Sequence, residues 1–338
     1  MDSPALDVEK KDESKDHSVI PFVVVAHVDA GKSSFCGHLL KLCGFVDDHQ
    51  MDEIERKAIE DKMEKCKFAR ILDIYPEEQI RGKTHDFSDF EFTWKDQKYI
   101  VIDTPGHRCF IRSMIQGMSL YPGAIGCLIV SVPEFISGWE NGTTKEDIVL
   151  LRAVGVKTLI VLMNKMDLVG WDCDLYDKCK NTVLAFIKRV GGMDIKFIPI
   201  SGYKGIGLVN TDSLPSWYTG PSFIDVCQKS YVAVDSKTDE AAKPQVSKKC
   251  DKFLTDFMIF TCENIISGGY QGILHHKISE FDCSIIGIQN SKGLKFGKQG
   301  ERVKCLFKVK DATEFQIGDR VILRKGEATI GFGRIIKV

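Results

Sequence analysis

The sequence predicts an α/β domain with a mostly parallel sheet, followed by a small C-terminal β-barrel. Between residues 19 and 226, apolar runs of strand length alternate with segments of helical period, which is typical of a parallel sheet covered by helices. From residue 253 to residue 338, short apolar runs follow one another without helical segments, which favours a barrel. A polar stretch at 227–252 separates the two patterns and predicts a linker.

The individual elements follow from the same patterns, taken in chain order. Residues 1–18 are charged and poor in large apolar side chains, so we expect a disordered tail. In the first domain, the predicted strands are 20–25, 99–102, 124–130 and 158–163, and the predicted helices are 33–42, 51–63 and 176–190. In the C-terminal part, the predicted strands are 257–260, 272–276, 283–286, 303–309 and 321–323.

A glycine-containing turn connects the first predicted strand to the first predicted helix. Residues 26–33 read AHVDAGKS, so backbone N–H groups of a P-loop can surround a phosphate at the helix N-terminus. Lys32 would lie along the β- and γ-phosphates, and the Ser33 hydroxyl would bind Mg²⁺. Ala26 stands where the P-loop pattern has its first glycine, and we expect its methyl group to crowd the turn. The alternative is an ordinary turn that ends in Gly-Lys-Ser. The expected nucleotide-binding residues of this segment are Asp29, Ala30, Gly31, Lys32, Ser33 and Ser34.

A second polar segment, DTPGH at 103–107, follows the apolar run at 99–102. The Asp103 carboxylate can reach Mg²⁺ through water, while the Gly106 N–H can point at a γ-phosphate. His107 would then lie beside that phosphate and orient the attacking water, as a glutamine does in other nucleotide hydrolases. The alternative is a structural histidine, but its place directly after Asp-Thr-Pro-Gly favours a catalytic role.

A third segment, NKMD at 164–167, follows the apolar run at 158–163. The Asp167 carboxylate can accept hydrogen bonds from both the guanine N1–H and the 2-amino group, and adenine offers no such pair of donors. We expect Asn164 and Lys165 to bind the same nucleotide; the alternative is a polar turn. The order and spacing of the three segments predict a P-loop GTPase domain that binds GTP and GDP with Mg²⁺.

The segments at 27–34 and 103–108 resemble those of the translational GTPases, most closely elongation factor 1-alpha and eukaryotic release factor 3. Residues 200–203, ISGY, resemble the last guanine-contacting loop of that family, which implies that Ser201 and Gly202 lie near the base carbonyl.

The segment EEQIRGKT at 77–84 resembles the first switch loop of the same family. The resemblance implies that Thr84 closes over Mg²⁺ and the γ-phosphate; the alternative is a charged surface loop. Lys83 favours the release-factor branch, because elongation factors carry an apolar residue just before this threonine.

The C-terminal part resembles the last domain of the same factors through residues 268–275, 317–324 and 329–333. The family places another barrel between its GTPase domain and this one, and the linker at 227–252 is too short to form it. In elongation factors that barrel helps to hold the aminoacyl end of tRNA. We therefore do not expect this chain to deliver aminoacyl-tRNA in the usual way.

Composition is typical of a soluble intracellular protein, with 338 residues, 43% hydrophobic and 28% charged, and it predicts about two domains. None of the 12 cysteines forms a Cys-x-x-Cys pair, so we expect reduced thiols. We expect neither a signal peptide nor a transmembrane segment, and we therefore expect a cytoplasmic monomer that does not bind membranes.

Charge divides between the two parts of the chain. Residues 1–227 hold 27 basic and 34 acidic residues, a net charge of −7, whereas residues 228–338 hold 19 and 13, a net charge of +6. Lys304, Lys308 and Lys310 share one parity along a predicted strand, so we expect a basic outer face that RNA can contact. A solvated barrel face explains the pattern equally well.

These observations lead to one functional prediction and one alternative. The chain is expected to hydrolyse GTP and to act in translation elongation or termination, with the ribosome or a release-factor-like protein as its partner. The alternative is a GTP-regulated binding protein, or a competitor of a complete translation factor, that docks on a shared partner without delivering anything.

Overall fold

The computed structural model describes residues 19–61, 67–73, 88–103, 121, 123–235, 247–277, 279–326 and 328–338. Within these ranges a helix-covered sheet is followed by a closed barrel, so the predicted fold class is confirmed. The expectations for residues 1–18, Thr84, Gly106 and His107 lie outside the described residues.

A six-stranded sheet forms the centre of the first domain. Its strands are β1 Ile20–Ala26, β2 Ser88–Trp94, β3 Gln97–Asp103, β4 Ile125–Ser131, β5 Thr158–Asn164 and β6 Asp194–Pro199. The order is β2-β3-β1-β4-β5-β6; β2 runs antiparallel to β3, and all other neighbours are parallel. β1, β4 and β5 are buried along their whole length because both faces of the sheet are covered. All four predicted strands are present.

Helices pack on both faces of this sheet. They are α1 Lys32–Leu42, α2 Asp48–Glu60, α3 Ala69–Asp73, α4 Thr144–Val154, α5 Cys173–Val190 and α6 Phe223–Asp235. The helix predicted to start at residue 51 begins earlier because Asp47 and Gln50 form a reciprocal capping box. Similarly, α5 begins at Cys173 because the Asp172 side chain accepts a hydrogen bond from the Leu175 N–H.

Six antiparallel strands close the C-terminal barrel. They are β7 Lys248–Ile259, β9 Gln271–His276, β10 Ser279–Asn290, β12 Arg302–Phe315, β13 Arg320–Lys325 and β14 Ala328–Lys337. Their order is β10-β12-β7-β14-β13-β9, and the short strands β8 Ile266–Ser267 and β11 Phe296–Gly297 pair separately. Phe253 fills the barrel centre, with ring centroids 5.6 Å from Phe307 and 4.4 Å from Phe315.

Regular structure occupies both ends of the predicted linker at 227–252. Helix α6 continues to Asp235, and β7 already begins at Lys248. The first residues of β7 pair with the far end of β12, beyond a register shift between Lys308 and Thr313. This pairing is made by backbone hydrogen bonds, which form whatever the side chains are. The polar sequence at the start of β7 therefore lacks the apolar pattern from which a strand is predicted.

Strand β12 shows the predicted alternation. Lys304, Lys308 and Lys310 are exposed, whereas Val303 and Phe307 are among the buried positions between them. On β7, Lys252 stands directly opposite Lys308. The barrel therefore presents a basic outer face above an apolar interior.

Helix α4 joins the first domain to the barrel. Ile322 of β13 belongs to the same apolar cluster as Leu151 of α4, and the Thr329 N–H donates to Glu146 Oε1 at 3.2 Å. α4 ends at Gly155, whose left-handed backbone (φ 107°) lies so close to the Arg320 guanidinium that a side chain would overlap it. The barrel is thus packed against the helix that follows β4.

The described part of the chain contains ten cysteines, and each of them is a free thiol. Burial raises the pKa of Cys43, Cys283 and Cys305 to about 12, so these three stay protonated and unreactive near neutral pH. Within the described ranges, the chain has no helix with the length and hydropathy needed to cross a membrane.

Candidate functional site

The described residues of the three predicted segments lie at one edge of the sheet, the edge formed by the C-terminal ends of its parallel strands. β1 leads into the turn at 27–31, β3 ends at Asp103 and β5 ends at Asn164. Because these strands are parallel, the loops that follow them share the edge formed by the strand C-termini. The structure thus brings together the predicted site residues that it describes.

The turn before α1 takes its shape from two left-handed residues. Asp29 has φ 62° and Gly31 has φ 95°, and the Ala30 N–H donates to the His27 carbonyl at 3.1 Å. Gly31 is needed here because a Cβ at this position would lie 2.5 Å from Asn164 Nδ2. The turn places Lys32, Ser33 and Ser34 in the first turn of α1, as the P-loop prediction requires.

Ala26 does not distort this turn. It is the last residue of β1, paired with Ile129 of β4, and it is absent from the described residues with positive φ. The left-handed positions of the turn are Asp29 and Gly31, so the backbone at Ala26 needs no glycine conformation, and crowding by its methyl group stays a prediction to be tested.

Replacing Ala26 by glycine tests this point. Glycine costs conformational entropy in a strand, so we expect Ala26→Gly to lower the free energy of unfolding by about 0.5–1 kcal/mol. Affinity for GTP should stay unchanged. Urea unfolding and calorimetric titration measure the two quantities, and a gain in GTP affinity would instead show that the methyl group hinders the phosphate turn.

Lys32 and Asp103 form an ion pair between α1 and β3. Lys32 Nζ lies 2.5 Å from Asp103 Oδ1, and both side chains are largely buried. Burial raises the pKa of Asp103, while the nearby Lys32 ammonium opposes this shift. The Asp103 carboxylate and the Ser33 hydroxyl supply the oxygen ligands that Mg²⁺ prefers, so the residues present fit this ion.

Asn164 connects the phosphate turn to the loop after β6. Its Nδ2 donates to the Ala30 carbonyl at 2.8 Å, and its Oδ1 accepts the Gly202 N–H at 2.8 Å. Asn164 is only 2% exposed, so both hydrogen bonds are shielded from water. The asparagine therefore fixes the distance between two loops that the sequence prediction placed at opposite ends of one nucleotide.

Lys165 follows in a left-handed conformation, with φ 62°. Its Nζ lies 2.6 Å from Glu134 Oε2, and the Ser131 hydroxyl donates to the same oxygen at 2.7 Å. Hydrogen bonds from Lys165 and Ser131 lower the pKa of Glu134. The loop after β4 thus holds the Lys165 side chain in place.

Asp167 lies one turn beyond Asn164, in a short 3₁₀ helix at Met166–Val169. Its side chain is 9% exposed, and Lys204 Nζ lies 3.7 Å from Asp167 Oδ2. Lys204 follows Ser201 and Gly202, and its N–H donates to the Ser201 hydroxyl at 3.2 Å. The carboxylate and the 201–204 loop therefore lie side by side.

Sequence reasoning missed the residues that support the site. Glu134, Ser131, Lys204 and the buried His38 were not among the predicted site residues. Glu134, Lys204 and His38 each contact a site residue that lies on a different element and far away along the chain, and Ser131 donates a hydrogen bond to Glu134. Ser131, Glu134 and Lys204 lie at or just after strand ends, which is the only signal the sequence offers for them, and for His38 in α1 the sequence offers none.

Comparison with known proteins supports the same family. Residues 17–258 match the family model of the elongation factor Tu GTP binding domain. Elongation factor 1-alpha of Entamoeba histolytica is 37% identical over 213 residues, which cover 62% of this chain and 48% of that protein. The eukaryotic peptide chain release factor GTP-binding subunit of Kluyveromyces lactis is 38% identical over 222 residues, which cover 62% of this chain and 31% of that protein.

The chain spans about half the length of the first of these relatives and about a third of the second. Among solved structures, the S. cerevisiae Ski7 GTPase-like domain, bound to GTP, is similar with a TM-score of 0.70. Sequence identity is 14%, and the match covers 94% of this chain and 97% of that one, so this likeness concerns the fold. The family model covers well over half of the chain, and we conclude that this protein belongs to the elongation factor Tu GTP-binding domain family of translational GTPases.

Proposed function

We propose that this protein binds GTP with Mg²⁺ and hydrolyses it to GDP and phosphate. The observation that carries the proposal is the position of Asn164, which ties the phosphate turn at Ala30 to the candidate base loop at Gly202. A nucleotide bound along this edge would meet Lys32 at one end and Asp167 at the other. Family membership supports the same chemistry.

The phosphate end is formed by the turn before α1. Backbone N–H groups from Asp29 to Ser34 surround the phosphates at the helix N-terminus. On nucleotide binding, the Lys32 ammonium group would leave the Asp103 carboxylate and contact the β- and γ-phosphates, because the carboxylate and the phosphates are anions within its reach. Mg²⁺, held by Ser33, Asp103 and Thr84, would supply charge neutralisation at the phosphates when bound.

The base end is formed by the loops after β5 and β6. Asp167 accepts two hydrogen bonds from guanine, and the stem of Lys165 packs beside the base while Glu134 holds its ammonium group. Ser201 and Gly202 face the base carbonyl. We assign water positioning to His107, which follows the phosphate-sensing Gly106.

In the cell, the chain acts in translation elongation or termination, as a cytoplasmic monomer whose partner is the ribosome or a release-factor-like protein. Relatives from both the elongation-factor and the release-factor branches support the translational role. Lys83 favours the release-factor branch. The basic outer face of β12 and β7 supports RNA contact, because like charges such as Lys252 and Lys308 stand opposite each other and a polyanion would relieve their repulsion.

A second candidate function follows from the short connection between the two domains. A single barrel is present in the described ranges, and only 12 residues separate α6 from β7. The chain would then be a GTP-regulated binding protein, or a competitor of a complete factor, without a delivery role. GTP hydrolysis stimulated by ribosomes favours the first function, and nucleotide-dependent binding without stimulation favours the second.

The missing barrel leads to a testable prediction. Only 12 residues separate α6 from β7, too few for the domain that helps to grip an aminoacyl end in elongation factors. We expect the GTP-bound chain to bind a ribosome or a release-factor-like protein without preferring aminoacylated to deacylated tRNA. Filter binding with both forms of tRNA measures this, and a GTP-dependent preference for the aminoacylated form would favour the elongation-factor branch.

A further inference from the structure

A buried histidine contacts the candidate base loop at the same residue as Asn164. His38 lies on α1 and is 8% exposed, and its Nδ1 lies 2.9 Å from the Gly202 carbonyl oxygen. A carbonyl oxygen only accepts hydrogen bonds, so Nδ1 must carry the proton. Gly202 is therefore held at both of its backbone polar groups, at the N–H by Asn164 and at the oxygen by His38.

The His38 ring is fixed by aromatic packing. It stacks on Phe68, with ring centroids 4.0 Å apart and an interplanar angle of 9°. Phe68 in turn meets the Tyr203 ring edge-on at 5.7 Å. Because Tyr203 is the residue after Gly202, the same aromatic group contacts both the histidine and the loop that the histidine binds.

Lys67, in the turn before α3, covers this aromatic group and pairs with Glu55 of α2. Lys67 Nζ lies 5.1 Å from the Phe68 ring centroid and 5.9 Å from that of Tyr203, and it forms an ion pair with Glu55 Oε1 at 2.8 Å. The Lys67 ammonium group is attracted to the π-faces of both rings, and this attraction favours the packing of Phe68 against Tyr203. His38 therefore has little freedom to turn away from Gly202.

The histidine is held in its neutral form. Burial lowers the pKa of His38, and the nearby Lys41 and Lys67 ammonium groups lower it further, while hydrogen bonds to the loop backbone act in the opposite direction. Its other ring nitrogen, Nε2, faces Gly205, where a Cβ would approach within 2.7 Å. The loop thus closes around the ring on both sides.

We propose that His38 is a positioning residue for guanine recognition. By fixing the Gly202 carbonyl, it holds the Gly202 backbone in the orientation in which residues 201–202 meet the 6-oxo group of the base. This role rests on the proposed binding of GTP. His38 acts through the loop and reads the 6-oxo end of the base, whereas Asp167 reads N1–H and the 2-amino group.

Two amide variants form a matched pair for the test. In His38→Asn the amide nitrogen occupies nearly the position of Nδ1 and can still donate to Gly202, whereas in His38→Gln the longer side chain places it near Nε2. Three triphosphates probe the contacts: GTP, ITP, which lacks the 2-amino group, and 2-aminopurine riboside triphosphate, which lacks both the 6-oxo group and the N1–H but keeps the 2-amino group. Dissociation constants are measured for each protein with each nucleotide.

Loss of one hydrogen bond to the loop predicts that His38→Gln weakens binding of GTP and ITP by about 3- to 10-fold. Binding of 2-aminopurine riboside triphosphate should change little, and His38→Asn should behave like the unchanged protein. A third variant, His38→Phe, keeps the stacked ring without the donor and should match His38→Gln.

Other outcomes overturn the proposal in distinguishable ways. Equal weakening of all three nucleotides, or equal behaviour of the asparagine and glutamine variants, would show that His38 only stabilises the fold. Thermal melting of each variant identifies such a loss of stability. Failure of the unchanged protein to bind GTP would overturn the proposed function itself, whereas GTP binding that is insensitive to all three substitutions overturns only the role of His38.

Discussion

Replacing His107 by alanine is expected to lower partner-stimulated GTP hydrolysis on the order of 10³-fold, because stimulated GTPases gain about 10³–10⁵ from a completed water- and charge-positioning arrangement. GTP affinity should stay nearly the same, since the proposed role of the imidazole is to orient water and not to bind the phosphates. In the sequence His107 comes four residues after Asp103, whose carboxylate contacts Lys32.

Single-turnover hydrolysis of radiolabelled GTP, with and without ribosomes, measures this effect. His49→Ala is the matched control, because His49 is exposed on α2, away from the strand ends that carry the site. Intrinsic hydrolysis by the unchanged protein should be slow. If His107→Ala lowered GTP affinity and turnover by the same factor, the histidine would be a structural residue.

The fold was largely predictable because its strands are buried. β1, β4 and β5 are apolar from end to end, and such short runs between helical segments indicate a parallel sheet. β6 was not predicted as a strand, since at the sheet edge only its last two residues are fully buried. The start of β7 was missed for a similar reason, because Lys248 and Lys249 are held by backbone pairing with β12.

The candidate site could be predicted from the sequence where its expected function requires adjacent residues. The expected phosphate turn, phosphate sensor and base-reading segment are each contiguous, so a short stretch of sequence carries the prediction of each one. Support for these segments comes from other elements: Glu134 reaches Lys165 across 31 positions, and His38 reaches Gly202 across 164. Such contacts depend on the folded topology, which no local pattern encodes.

Ala26 departs from the motif without a change of backbone conformation. The P-loop pattern has a glycine at this position, and the alanine found there led us to expect that its methyl group crowds the turn. The structure gives Ala26 an ordinary strand conformation and assigns the left-handed positions to Asp29 and Gly31. A motif position therefore constrains the sequence only where the backbone needs the special conformation.

Asp167→Asn is expected to reverse the base preference of the site. An aspartate accepts hydrogen bonds from both N1–H and the 2-amino group of guanine, whereas asparagine keeps one acceptor and replaces the other with a donor. The new donor suits the 2-oxo group of xanthine. A well-placed pair of hydrogen bonds to a base is worth about 1–3 kcal/mol, so GTP affinity should fall by about 10- to 100-fold while binding of xanthosine triphosphate improves.

Competition titrations with GTP, xanthosine triphosphate and ATP measure this change on a fold that should stay intact, because aspartate and asparagine have nearly the same shape. Lys204→Ala is the matched control: it removes the 3.7 Å ion pair with Asp167 but leaves both acceptor oxygens. Since Lys204 is 56% exposed, that pair adds little energy, and the control should keep the preference for guanine.

If Lys204→Ala shifted base preference as much as Asp167→Asn, the charge of the loop would select the base. If the unchanged chain bound ATP as tightly as GTP, Asp167 would not read guanine at all.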